Sequence, residues 1–275
     1  MAGRGGPGGG APRLELAGPV VAVDVECVAT GTGHNARSVA QIAAVVRGPP
    51  SPQPPPTPTL PPAGSGPPQQ ICAPEERQRL TLPPPPAQDS EMRVIYNSYV
   101  RPEQPVVSYL TPLTGLTEGV LEGAPSLAEA VAGLRQALPP GCTLVGQNIA
   151  KDVQWLGLRE GEDFQGMVDL VGLFRVWNAR YKNFSVFGQD HLAAVLLGMN
   201  VGPGIAHDAA GDSVKSMRLL MFHLMTQDDP EAVARAHALL LATPPAPSFA
   251  KSNPTWEDCC MGNKRTCKCG DPFFF

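Results

Sequence analysis

Apolar residues run unbroken through Val20-Val21-Ala22-Val23 and then alternate with acids in Asp24-Val25-Glu26. Such a run reads as a buried strand over about 20–26, and because strand side chains alternate, Asp24 and Glu26 project from one face. Similar runs predict a second strand over 39–46 and a third over 93–100, the three forming an antiparallel meander. Farther along, the apolar period becomes helical. Ser126, with Glu129 three residues on, caps a helix to about Leu138, where Pro139-Pro140-Gly141 stops it. Leu144-Val145 make a short strand, and a helix follows over 149–158. An apolar segment at 167–176 leads to helices over 189–198, 209–226 and Pro230 to Leu241, the last with proline in its first turn. A meander followed by alternating helices and strands predicts an α/β domain, a central mixed five-stranded sheet flanked by helices.

Composition shows where that domain is interrupted. The 275 residues are 43% hydrophobic, enough for one sizeable core, yet 29 Gly and 32 Pro exceed what a compact domain uses. Eleven of the twenty residues from Pro49 to Pro68 are proline, and four more follow at Pro83 to Pro86. This stretch lacks donors for strand or helix bonding and apolar side chains to bury, so it is expected to be an extended, disordered insertion over 48–90. It reads as a spacer, or as a docking segment for a protein partner. The expected organisation is a Gly-rich tail over 1–17, a folded domain over 18–242 carrying the insertion, and a Cys-rich tail over 243–275.

Cys27, Cys72 and Cys142 are isolated thiols, not a disulfide framework. Cys259, Cys260, Cys267 and Cys269 crowd the tail, but Cys-Cys and Cys-x-Cys lack the two-residue spacing usual in zinc sites. A flexible tail with redox-sensitive thiols is the expectation there. No segment approaches the roughly 20 apolar residues of a membrane span, and the Gly-rich start lacks a signal peptide's apolar centre. These features predict an intracellular protein, cytoplasmic or nuclear, with no membrane partner.

The candidate chemistry lies in three short segments. Two carboxylates on one face of a buried strand repel each other and lose hydration, and a hard divalent cation is the natural reason to keep them. In Gly146-Gln147-Asn148-Ile149-Ala150-Lys151-Asp152, the glycine permits a close approach where strand becomes helix. Asn148 and Asp152, four apart, would share a helix face. His207 and Asp212 are five apart, so one regular helix could not aim both at one point. Gly202-Pro203-Gly204 suggests a mobile loop carrying His207, followed by a helix whose first turns hold Asp212.

Asp-x-Glu on a first strand, Gly-x-Asn-x-x-x-Asp in the middle and His-x-x-x-x-Asp near the end, in this order, resemble the DEDDh 3′-to-5′ exonucleases of the ribonuclease-H-like superfamily. Landmarks at 39–45, 99–102, 113–117 and 190–193 extend the resemblance over about 18–230. It implies a ribonuclease-H-like fold, two divalent cations (Mg2+ or Mn2+) held by Asp24, Glu26, Asp152 and Asp212, and His207 as general base. Single-stranded nucleic acid would be the substrate and nucleoside 5′-monophosphates the product. Val28, Leu113, Leu116 and Lys151 are the expected substrate contacts, with Phe184 a further contributor or a core residue. The Asp24 to Gly31 segment looks closer to the RNA-trimming branch than to the proofreading one, so RNA is favoured over DNA. Departures at Gln147, Lys151 and Ser213 remove no metal ligand. The net charge of -4 is low for a nucleic-acid enzyme, but four carboxylates belong to the site, and Lys151, Arg175, Arg180, Lys182, Lys215 and Arg218 flank the motifs as surface cations. The competing reading is a catalytically silent binding or scaffold protein on the same fold.

Overall fold

The computed structural model describes residues 13–48, 92–202 and 204–273. Its central sheet has five strands: β1 Val20–Ala29, β2 Arg37–Arg47, β3 Met92–Tyr99, β4 Thr143–Gly146 and β5 Gly166–Asp169, in the order β3-β2-β1-β4-β5. The first three pair antiparallel, and β4 and β5 add in parallel beside β1. The predicted mixed sheet, meander and ribonuclease-H-like class are therefore present. The proline-rich insertion lies outside the described residues, but Arg47 and Met92 on either side of it are ladder partners.

Alternation along β1 divides the core in two. Val21, Val23 and Val25 enter a cluster with Ile42, Ala44 and Val46 of β2, covered by α3 (Leu127–Ala137) and α4 (Ile149–Leu156). Before these come two short helices, α1 Thr111–Thr114 and α2 Glu118–Leu121. The capping box foreseen at α3 is complete: Ser126 accepts from the Glu129 N–H, and the Glu129 carboxylate accepts from the Ser126 N–H at 2.8 Å. Across the sheet, Ala22, Val45 and Val145 pack against α5 Leu170–Leu173, α6 Gln189–Leu197, α7 Ala209–Thr226 and α8 Pro230–Ala242. The small residues Ala22, Ala43, Ser213 and Ser216 are fully buried and let α7 lie close to β1 and β2.

Four expectations need correction. The segment 167–176 is not one element: Asp169 ends β5 and caps α5 by accepting the Val171 N–H at 2.9 Å, so the chain turns there. Farther on, β6 Val176–Asn178 and β7 Asn183–Ser185 form an unforeseen hairpin with Trp177, Tyr181 and Phe184 exposed, which excludes Phe184 from the core. Residues 13–17 are docked, Leu14 exchanging two hydrogen bonds with Gln227 while Leu14 and Leu16 pack on the α7 side. The C-terminal cysteine segment is also folded. It contains α9 Phe249–Ser252 and a hairpin of β8 Thr255–Trp256 with β9 Cys259–Cys260, turned by Glu257 and Asp258 at positive φ. Cys259 is fully buried against Ala29 and Leu110, which a flexible tail would not allow. All six described cysteines are free, and Cys72 lies outside the described residues. Among the described residues, no helix is long and apolar enough to cross a membrane.

Since Arg47 and Met92 face each other in the ladder, replacing residues 49–91 by a short Gly-Ser turn should preserve the fold. The expected outcome is a thermal midpoint within a few degrees of the parent; loss of the cooperative transition would show that the insertion belongs to the core.

Candidate active site

The valines that anchor β1 in one core aim Ala22, Asp24 and Glu26 at the other face, toward the start of α7. A bulge follows at Glu26/Cys27, so the alternation that places both carboxylates ends directly after them. The start of α7 is tied to β2: buried Gln41 donates to Asp208 Oδ1 at 2.8 Å, and its carbonyl accepts the Ala209 N–H at 3.3 Å. Asp208 is the helix N-cap, accepting the Gly211 N–H at 2.9 Å. Asp212 consequently sits buried in the first turn, where the helix dipole favours an anion.

Asp152 arrives from the other side. A Cβ on Gly146 would lie 2.9 Å from Ile149 Cδ1 and 3.0 Å from the Val23 carbonyl, so only glycine lets β4 turn into α4 this close to β1. Asn148 is the left-handed cap of α4 (φ 61°), outside the helix, so it and Asp152 do not share a helix face as expected. The Asn148 N–H instead donates to Asp169 Oδ1 at 3.0 Å. Asp152 is buried and accepts the N–H of Val25, the residue between Asp24 and Glu26.

His207 precedes α7, its N–H donating to the Leu113 carbonyl at 2.6 Å. The ring turns inward, with Nδ1 2.7 Å from Asp212 Oδ2 and Nε2 3.4 Å from Asp190 Oδ2. Lys215 completes the group at 2.6 Å from Asp212 Oδ1 and 2.9 Å from Asp190 Oδ1. One ligand atom each from Glu26, His207 and Asp212 lie within 4.8 Å of one another.

The electrostatics separate these groups. Burial, then the charges of Asp152, Asp212 and Glu26, raise the Asp24 pKa well above its ordinary value. Burial and Asp212 push Glu26 up to about 8. Burial lifts Asp152 to about 7 against its backbone hydrogen bonds. Asp212 differs: burial would raise it, but hydrogen bonds from His207 and Lys215 hold it below its usual value. The same bond to Asp212 is the main reason that the His207 pKa is raised. Several carboxyls that cannot ionise together without a counter-charge, presenting only hard oxygen donors, fit Mg2+ or Mn2+.

The expected substrate contacts divide. Val28 (0% exposed) and Leu116 (2%) pack with Ala40 and Leu121, so they shape the cleft from beneath and leave no surface for a nucleotide. Leu113 is half-buried in α1, where its carbonyl holds the His207 N–H, and Lys151 is exposed with its Nζ 5.1 Å from the Trp155 ring centre. Two site residues were missed: Asp190 and Lys215. Lys215, expected at the surface, has a side chain only 12% exposed. Its position one helical turn after Asp212 was the signal that could have revealed it.

The strand order and the convergence of four carboxylates with a histidine define a ribonuclease-H-like nuclease domain. Residues 88–220 match the family model RNase_T, described as an exonuclease. That match starts at the end of the insertion and contains Asp152, His207 and Asp212; the fold supplies Asp24 and Glu26. Over those residues the chain is similar to the RNase_T exonucleases, in line with its DEDDh resemblance. It is similar to small RNA degrading nuclease 3 of Arabidopsis thaliana, 30% identical over 137 residues, which are 49% of this chain and 17% of that protein. Small RNA degrading nuclease 2 of the same plant is 30% identical over 144 residues, 49% of this chain and 29% of that protein. The chain thus spans less than a third of either relative. Among solved structures, the Neurospora crassa Pan2 catalytic unit superposes with a TM-score of 0.54 at 16% identity, over 86% of this chain and 32% of that one.

Groups with raised carboxyl pKa hold protons in the folded state that the unfolded chain releases, so their contribution to stability falls as pH climbs from about 4 to about 8. Asp24→Asn removes one of the repelling charges. In chelator at pH 8, the variant should melt a few degrees above the parent, about 2–4 °C per kcal/mol relieved, with a smaller gap at pH 5. An equal or lower midpoint at pH 8 would contradict the repulsion.

Proposed function

We propose that this domain is a metal-dependent 3′-to-5′ exonuclease that trims single-stranded RNA and releases nucleoside 5′-monophosphates. The convergence of Asp24, Glu26, Asp152, His207 and Asp212 from distant segments carries this reading. Asp24, Glu26, Asp152 and Asp212 would hold two divalent cations, which supply charge neutralisation around phosphorus and a more acidic attacking water. Asp212 holds the His207 ring at 2.7 Å, the main reason that the His207 pKa is raised. In its neutral form the His207 imidazole would accept the proton of the attacking water. Lys215 bridges Asp190 and Asp212.

Preference for RNA rests on the relatives' names and on the β6–β7 hairpin. Trp177 and Phe184 form an exposed edge-to-face pair at 5.3 Å, the Arg175 guanidinium lies 4.8 Å from the Phe184 ring centre, and Arg180 lies 5.6 Å from that of Tyr181. Exposed aromatic faces beside cations suit bases and phosphates of a single strand, despite the net charge of -4.

Incubating 5′-labelled single-stranded RNA and DNA with Mg2+, Mn2+ or chelator should give a ladder shortening from the 3′ end, faster on RNA and absent in chelator. Faster loss of DNA would move the assignment to a DNA exonuclease; binding without cleavage in either metal would favour the silent scaffold. His207→Ala should lower turnover roughly 10²- to 10⁴-fold with little change in metal dependence. Parental turnover in that variant would remove the histidine from the mechanism.

A further inference from the structure

We propose that His34, Cys260, Cys267 and Cys269 form a structural zinc site that fastens the C-terminal segment to the turn between β1 and β2. One ligand atom from each of the four lies within 4.8 Å of all the others. The separations are 3.5 Å for Cys260 to Cys267, 3.4 Å for Cys267 to Cys269, 3.1 Å for His34 Nδ1 to Cys269 and 3.6 Å for His34 Nδ1 to Cys267. Tetrahedral zinc, with Zn–S about 2.3 Å and Zn–N about 2.0 Å, sets sulfur–sulfur edges of about 3.8 Å and sulfur–nitrogen edges of about 3.5 Å. The four donors therefore stand close to the corners that one such ion requires. This site shares no residue with the acidic cluster, and its ligands are soft where those are hard.

The alternatives account for less. A disulfide needs sulfurs about 2.05 Å apart and would engage only two of the three thiols. A cluster of several irons needs ligands spread more widely than one 4.8 Å group. The surroundings are also those of a built site. The Cys269 sulfur accepts backbone N–H groups of His34 and Asp271. Phe273 stacks on the His34 ring at 4.3 Å, and Gly262 lies against the same side chain, where a Cβ would come 3.4 Å from His34 Cβ and 3.5 Å from its ring Cδ2. Ligation through Nδ1 leaves the proton on Nε2, which is buried without a hydrogen-bond partner. Lys264, Arg265 and Lys268 flank the ligands in sequence and offset the net negative charge of three thiolates around Zn2+.

The connection made is specific. Cys260 N–H donates to the Thr32 carbonyl at 2.8 Å, Arg37 donates to the Cys260 carbonyl at 2.7 Å, and Asn35 N–H reaches Asp271 Oδ2 at 3.0 Å. Glu257 of the same segment accepts the Ser108 hydroxyl, and Cys259 packs on Leu110, the N-cap of α1, whose Leu113 carbonyl holds the His207 N–H. The spacing in the tail argued against zinc because it was counted within the tail alone; the fourth ligand lies about 226 residues upstream, in a turn.

Metal analysis of the full chain, purified without chelator, should give about one zinc per molecule that persists through dialysis. Exchange for Co2+ should produce the intense visible bands of tetrahedral cobalt with thiolate charge transfer in the near ultraviolet. Cys267→Ser and Cys269→Ser should each lose the zinc, His34→Cys should keep it with a shifted cobalt spectrum, and Asp24→Asn should keep it unchanged. Failure of the acidic cluster to act as a nuclease would leave these results intact, so the two readings can fail separately. A parent protein that binds neither zinc nor cobalt, or whose unreduced peptides show Cys267 in a disulfide, would overturn the proposal; the cobalt spectrum of the parent decides even where a serine variant does not fold.

Discussion

Repulsion among carboxylates gathered at one end of a buried strand is the constraint on which the rest of the domain is organised. Asp24, Glu26, Asp152 and Asp212 come from three elements and would separate if those elements were free to move. They are not free, because each is anchored by apolar packing or by hydrogen bonds away from the charges. Val21, Val23 and Val25 lock β1 from behind, Gln41 fixes the start of α7, and the contact at Gly146 sets the entry of α4. Hydrophobic burial of roughly 1.5–3 kcal/mol per large side chain is the force that offsets a deliberately unfavourable site.

Two layers of small residues make that anchoring possible. Ala22 and Ala43 on the sheet meet Ser213 and Ser216 on α7, all without solvent exposure. Ser213 was noted as a departure from the related sequences. Its hydroxyl lies 3.4 Å from the Ala43 carbonyl, so the extra oxygen has a partner and the helix can remain close. A bulky residue at any of these four positions would lift Asp212 away from Asp24 and Glu26.

Much of the domain was legible in the sequence because its chemistry is local. Alternation gave β1 its face, the Ser126/Glu129 pair gave α3 its start, and the five-residue spacing placed His207 before α7 and Asp212 within it. What escaped depends on distant partners. Lys215 resembles any solvated lysine until Asp190, 25 positions earlier, is brought against it. Asn148 satisfied helical spacing, yet its left-handed backbone is set by the approach of β4 to β1. Val28 and Leu116 have a pocket-lining character, and only the three-dimensional packing reveals that they lie beneath the surface. The tail looked loose because its contacts are with residues 30–37 and 108–110, the far end of the chain's linear order.

Lys215 and His207 act as resident counter-ions for Asp212, and this bears on which cations the acidic cluster can retain. An incoming ion must compete with an ammonium group, an imidazole and the protons held on Glu26 and Asp152. Each displaced contact subtracts from the net affinity. In a site of this design any divalent cation would bind more weakly than the number of carboxylates suggests, and the more weakly the lower the pH.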